Sequence, residues 1–202
     1  MGKAVSNTAQ YNTGVGKNVF NSLSGGTDNA AIGYDGLAAL TSGQKNVGAG
    51  SNALKSVNSG QGNIGIGYFA GGDFNTGDGT ALSTGSDNII IGYDADVSAS
   101  DASNQIVIGK GATGAGDNIA VIGNTSITGV YAAQDGEATV YAGGLVLEGA
   151  TADASETTLG LVDPTADRTI NLPNQSGTLP VLAVASTTAI TSTPEELNIL
   201  DG

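Results

Sequence analysis

The chain has 202 residues, 33 of them Gly, with aromatics at only 4% and no Trp, so a thick core of interdigitating rings is excluded and a thin aliphatic interior is expected. Charged residues make up 12%, yet 19 acids against 6 bases leave a net charge of −13, which argues against nucleic acid or an anionic membrane surface as partner. With no Cys and no His there is no disulfide framework and no thiolate metal site, and the commonest general base and metal ligand are both missing.

Residues 1–11 read as a lead-in. They lack the apolar run of a secretory signal, and nowhere does the chain approach the roughly 18 consecutive apolar residues of a membrane span. From Asn12 one phrase recurs: Asn, three small or apolar residues, then Gly. Its copies begin at Asn12, Asn29, Asn46, Asn63 and Asn88 and close at Gly16, Gly33, Gly50, Gly67 and Gly92. The first four are spaced by 17 residues and the fifth follows after 25, one period plus an eight-residue insertion. Two further columns keep the same register, Leu23, Leu40, Val57 and Phe74, then Gly26, Gly43, Gly60 and Gly77. Residues 12–124 are therefore a repeat array in which each repeat is one rung.

Within the phrase the first and third residues are mostly apolar (Ala30 and Ile32, Val47 and Ala49, Ile64 and Ile66, Ile89 and Ile91), while the middle one is usually Gly or Ala. This two-residue period is that of a strand. It predicts Ile32, Ile66 and Ile91 on the inner face, and a small-residue face outside that another backbone can approach. No rung has room for a helix of three turns. A parallel β-solenoid or β-roll remains, with like residues stacked at about 4.8 Å per rung. The Asn column has two readings, a buried amide ladder and a plain preference of Asn for turns. Residues 73–86 are expected to form a surface loop. Gln105 to Gly109 and Asn118 to Gly123 read as degenerate terminal rungs, which brings the array to about seven.

After residue 124 the pattern changes. Residues 125–148 read as a Gly-rich β transition with strands at 126–131, 138–141 and 145–147. Residues 149–184 read as a small β module whose strands, 156–162 and 168–172, flank an Asp163-Pro164 turn. In the linker at 185–202, Thr193, Pro194 and Glu196 form a capping box for a short helix carrying Leu197 and Leu200. So short a helix needs a neighbour, and the simplest is its counterpart in another chain.

The Asn-x-x-Ile-Gly rungs resemble the head domain of trimeric autotransporter adhesins, a parallel β-roll packed around a threefold axis. The run from Glu148-Gly-Ala-Thr through Asp163-Pro-Thr-Ala-Asp-Arg-Thr-Ile-Asn-Leu-Pro, and the closing Pro194-Glu-Glu-Leu-Asn-Ile-Leu-Asp-Gly202, look like segments of marine bacteriophage tail fibres, cyanophages among them. The resemblance implies an all-β homotrimeric fibre in a virion tail, outside the cell, acting as a strut in host attachment. It also implies other tail or fibre proteins and a host surface receptor or glycan as partners, with this chain one module of a composite fibre or a fragment of one. A bacterial trimeric surface adhesin is the nearest alternative, and a polysaccharide-degrading tailspike a second. An ice-binding solenoid is disfavoured because no Thr-x-Thr column repeats.

No catalytic residue is assigned. Asp94 with Asp96, or Asp163 with Asp167, are close in sequence, but nothing places them across a substrate groove. No cofactor is expected either, since Gly48-Ala-Gly50 and Gly65-Ile-Gly67 lack the third Gly of a dinucleotide fingerprint and Gly109-Lys110 lacks the first Gly of a phosphate loop. Asp73, Asp78, Asp87, Asp94, Asp96 and Asp101 cluster at turns without the spacing of a calcium repeat, so they read as a solvated acidic face and no metal site is assigned. The insertion and Tyr34, Tyr68 and Tyr93 are the candidate receptor contacts. Those tyrosines follow the Gly in three rungs, and a structural column is the competing reading.

Overall fold

Each phrase folds into one three-residue strand: β1 (Thr13–Val15), β2 (Ala30–Ile32), β3 (Val47–Ala49), β4 (Ile64–Ile66), β5 (Ile89–Ile91), β6 (Ile106–Ile108) and β7 (Ala120–Ile122). The computed structural model describes residues 9–72, 80–132, 140, 142, 144–147 and 157–160. The seven strands pair in sequence order into one sheet, all parallel, with Thr13 opposite Ala30, Ala30 opposite Val47 and Val47 opposite Ile64. This is a parallel β-solenoid, and no helix occurs among the described residues.

The register is carried by the backbone. The residue after each Asn donates to the Asn carbonyl one rung on, Ala30 to Asn46 at 2.9 Å and Val47 to Asn63 at 2.8 Å. Each closing Gly donates back, as Gly33 does to Val15 at 2.9 Å. The chain then turns through left-handed positions that recur in columns: Asp28, Lys45 and Asp87 before the Asn, Asp35 and Asn52 after the Gly, then Leu37 and Leu54 at φ 49°. A left-handed Leu costs about 1–2 kcal/mol. Burying its side chain returns roughly 1.5–3 kcal/mol, so the core holds these corners bent. Leu37 and Leu54 are both fully buried.

The two faces of the strands are reversed from the expectation. The middle residue points inward, with Ala31, Ile90 and Val107 all buried. The first and third residues point outward, leaving Ile32 59% and Ile66 42% exposed, with Ile91 half-buried. The reason lies in the corner leucines. Leu37 and Leu54 fill the space under the sheet and reach the positions of Gly48 and Gly65, so a small middle residue faces a large core partner rather than a second backbone. Where the corner contributes no Leu, at Ile90 and Val107, the middle residue is itself large.

The insertion also sits differently. Asn63 donates to the carbonyl of Gly85 at 2.9 Å, so Gly85 rather than Gly77 closes the corner, and the buried Leu82 follows Leu23, Leu40 and Val57 in the apolar column. Phe74, expected there, lies outside the described residues. Residues 80–86 are thus part of the rung rather than of a loop, with Ser86 bridged to Ser103.

At the far end β7 pairs at an interval of 14, Ile106 opposite Ala120, which puts Ile119 rather than Asn118 opposite Gln105. No strand forms at 126–131. Instead, Ser126 and Ile127 donate to the side chain and backbone of Asn124, which turns the chain over the last rung. The chain divides into two units, Met1–Thr139 and Val140–Gly202, a boundary inside the expected transition. In the second unit β8 (Gly144–Leu147) pairs antiparallel with β9 (Thr157–Gly160). The strands expected at 138–141 and 168–172 and the helix near 194 lie outside the described residues, apart from Val140, which belongs to no strand.

Candidate functional site

Asn12, Asn29, Asn46, Asn63 and Asn88 stand over one another at a single corner. From Asn12 to Asn63 each Oδ1 accepts twice from the next rung: Asn29 Oδ1 takes the Asn46 backbone N–H at 2.9 Å and its Nδ2 at 3.0 Å, and Asn46 Oδ1 takes both groups of Asn63 at 3.0 Å. The second hydrogen of each Nδ2 goes to a backbone carbonyl of the facing corner, a Gly for Asn12 to Asn63, as from Asn46 to Gly60 at 2.9 Å, and Ala102 for Asn88 at 2.7 Å. Asn29, Asn46, Asn63 and Asn88 are buried, so every polar atom of these amides that leaves water finds a partner in the protein. Gln105 donates its backbone N–H to Asn88, but its longer side chain is diverted to Ser98 at 2.6 Å, and the ladder ends there.

Two outward features remain for contact with other molecules. The first is the sheet face, where Val15, Ile32, Val47, Ile66, Ile106 and Ile122 are exposed with no charged residue among the strands. The second is the column following each Gly, which reads Lys17, Tyr34, Ser51, Tyr68, Tyr93 and Lys110. Tyr68 and Tyr93 stack with centroids 5.2 Å apart and planes at 19°, while Lys17 lies over Tyr34 at 5.6 Å and Lys110 over Tyr93 at 6.0 Å. Sequence reasoning found the three tyrosines. It missed the lysines at either end, which stand directly after Gly16 and Gly109 and so fall in the same column.

The acidic turns do not form one solvated face. Asp94 and Asp96 are buried while Asp87 and Asp101 are exposed, because the rung after the insertion folds its acidic corner inward. Asp163 and Asp167 lie outside the described residues. Beside Asp94 a cleft of about 790 Å³ is lined by Tyr93, Lys110, Thr113, Val121 and Asn124, left open where the shortened last rung uncovers Val121. Among the described residues no group of three or more acidic, His or Cys side chains is placed to hold a metal ion, and no helix is long and apolar enough to cross a membrane.

What the fold defines is a β-solenoid repeat protein with an internal amide ladder. The chain matches no protein-family profile, no curated protein and no solved structure.

Proposed function

We propose that this protein is a structural and adhesive part of a bacteriophage tail fibre, a homotrimeric strut used in host attachment. The observation that carries the reading is the outward aliphatic face of the sheet. Soluble monomers rarely leave contiguous apolar patches larger than a few hundred Å² in water. Here one runs the length of the array, with Ile32 and Ile122 at 59% and 58% exposure. Three copies facing one axis would cover it, and the uncharged strand face lets them approach without burying a charge. The threefold number and the phage setting come from the resemblance of the rungs and of the closing segments. The ladder supplies the stiffness that a strut requires.

Sedimentation velocity on the full chain tests the assembly. A trimer is expected across micromolar concentrations, and a monomer throughout would remove the proposal.

A further inference from the structure

At β1 the solenoid presents the receiving half of a contact that is completed everywhere else along the array. Asn29 gives its backbone N–H and an Nδ2 hydrogen to Asn12 Oδ1 at 3.0 and 2.9 Å. Its carbonyl accepts from Thr13 at 2.8 Å, and the Gly33 N–H donates to Val15 at 2.9 Å. Moved back by one rung, these four groups are the Asn12 N–H, the remaining Asn12 Nδ2 hydrogen, the Asn12 carbonyl and the Gly16 N–H. Among the described residues none of the four has a partner, since Asn12 Nδ2 gives one hydrogen alone, to Gly26 at 2.8 Å. The apolar cover is missing there as well. Gly48 and Gly65 are buried in the middle of their strands, under Leu37 and Leu54 of the preceding rung. All of β1 is exposed, Gly14 included, and Asn12 is half-buried.

We propose that this end docks one further strand of the same Asn-x-x-x-Gly kind, presented by another polypeptide. Complementarity sets the occupant. A side-chain amide oxygen one rung before Asn12 takes both its N–H and its remaining Nδ2 hydrogen, as Asn12 Oδ1 does for Asn29. An aliphatic residue eight positions after the incoming Asn, where Leu37 follows Asn29 and Leu54 follows Asn46, then closes over Gly14. Residues 1–11 do not carry this pattern. Counted back by 17, the strand positions fall before residue 1, and Lys3 and Ser6 stand where Phe20 and Leu23 stand one rung later. The far end of a second copy does not carry it either. There Asn88 Oδ1 already takes the Gln105 N–H at 3.0 Å, the Gln105 side chain is turned to Ser98, and Ile119 stands opposite Gln105. Like copies stacked head to tail would also grow into an open filament. A strand laid on a free sheet edge draws affinity from main-chain bonds and selectivity from alternate side chains. In this case the selecting side chain is the Asn.

The test uses the full chain and a fluorescently labelled synthetic peptide that copies residues 29–45, with a second peptide carrying Asn29→Ala. Anisotropy titration should show saturable binding of the first peptide, one per chain, and binding weakened by about tenfold or more for the second. Amide exchange followed by NMR should slow at Asn12 and Gly16 when the first peptide is added, and stay unchanged at Ile122 and Gly123. No saturable binding, equal binding of the two peptides, or protection at the β7 end instead would overturn the docking site. A peptide that dissociates the assembly would overturn it too, because a second copy would then be what fills this end. A monomeric chain that still binds the peptide counts against the trimeric strut alone, and an intact trimer that ignores it counts against the docking site alone.

Discussion

Asn46 gives both its backbone N–H and its side-chain Nδ2 to one oxygen, Oδ1 of Asn29, at 2.9 and 3.0 Å. The same geometry recurs at Asn63 on Asn46 and at Asn88 on Asn63, so the corner is one chain of bonds running along the solenoid axis. Each link satisfies a backbone donor that the turn would otherwise bury without a partner.

Replacing Asn46 by Ala removes the acceptor for Asn63 and the donor to Gly60. Stranding a buried polar group costs about 1–3 kcal/mol, so the variant should lose about 3–5 kcal/mol of unfolding free energy. Asn12→Ala, at the open end of the ladder, should lose markedly less. Urea denaturation of both variants checks this, and equal small losses would mean that the amides contribute little.

The closing Gly column is more demanding. Gly50 adopts φ 140°, and a Cβ built on it runs into the Gly67 carbonyl of the next rung. Gly111 is also left-handed, at φ 57°, but a Cβ there meets nothing within 4 Å. Gly50→Ala should therefore cost about 3 kcal/mol or more, strain and displaced stacking together. Gly111→Ala should cost about 1 kcal/mol, the conformational term alone. Melting curves of the two variants separate the contributions.

Lys45 offers the opposite sign. It is exposed and left-handed at φ 58°, in a column whose other members include Asp28, Gly62 and Asp87. Among the described residues its side chain makes no hydrogen bond, ion pair or ring contact that would offset the backbone cost. Lys45→Gly should raise stability by about 0.5–1 kcal/mol, read as a higher urea midpoint with an unchanged slope.

The insertion should be removable. Deleting residues 73–80 restores the interval of 17 between Asn63 and Asn88 and joins Gly72 to Ala81, one residue before the buried Leu82, with the single Thr80–Val97 bridge lost. Because Leu82 and Gly85 already hold the rung positions, circular dichroism and melting temperature should stay close to those of the parent. A collapsed transition would show that the inserted residues are needed to close the rung.

The period was legible because stacking demands identity. A residue whose amide bonds its own counterpart one rung away must recur at every rung, as Asn29, Asn46 and Asn63 do. The inward face was not legible from the same residues. Alternation separates Ile32 from Ala31 but does not say which side holds the core. That was decided by Leu37 and Leu54, whose left-handed backbone aims them under the sheet from a segment with no strand-like pattern. Phe74 and Gly77 lay at the right interval from Gly67, so counting forward favoured them. Counting back from Asn88 by the interval that separates Gly43 from Asn46 selects Gly85 instead. The tyrosine column could be read as a column. Its meaning depended on ring orientation, which no sequence interval encodes.

Ile66 tests the assembly most directly. Its side chain projects from β4 at 42% exposure, in the middle of the outward aliphatic face and away from the ladder and the buried leucines. In a lone solenoid, Ile66→Asp exchanges one exposed apolar group for a hydrated charge and should change stability by less than about 0.5 kcal/mol. In a trimer closed around that face, three carboxylates would be brought together out of water, and each would meet both a desolvation cost and like-charge repulsion. The expected outcome is a folded chain with unaltered β circular dichroism that sediments as a monomer. A variant that still sediments as a trimer would place the contact between copies elsewhere and leave the exposed isoleucines unexplained.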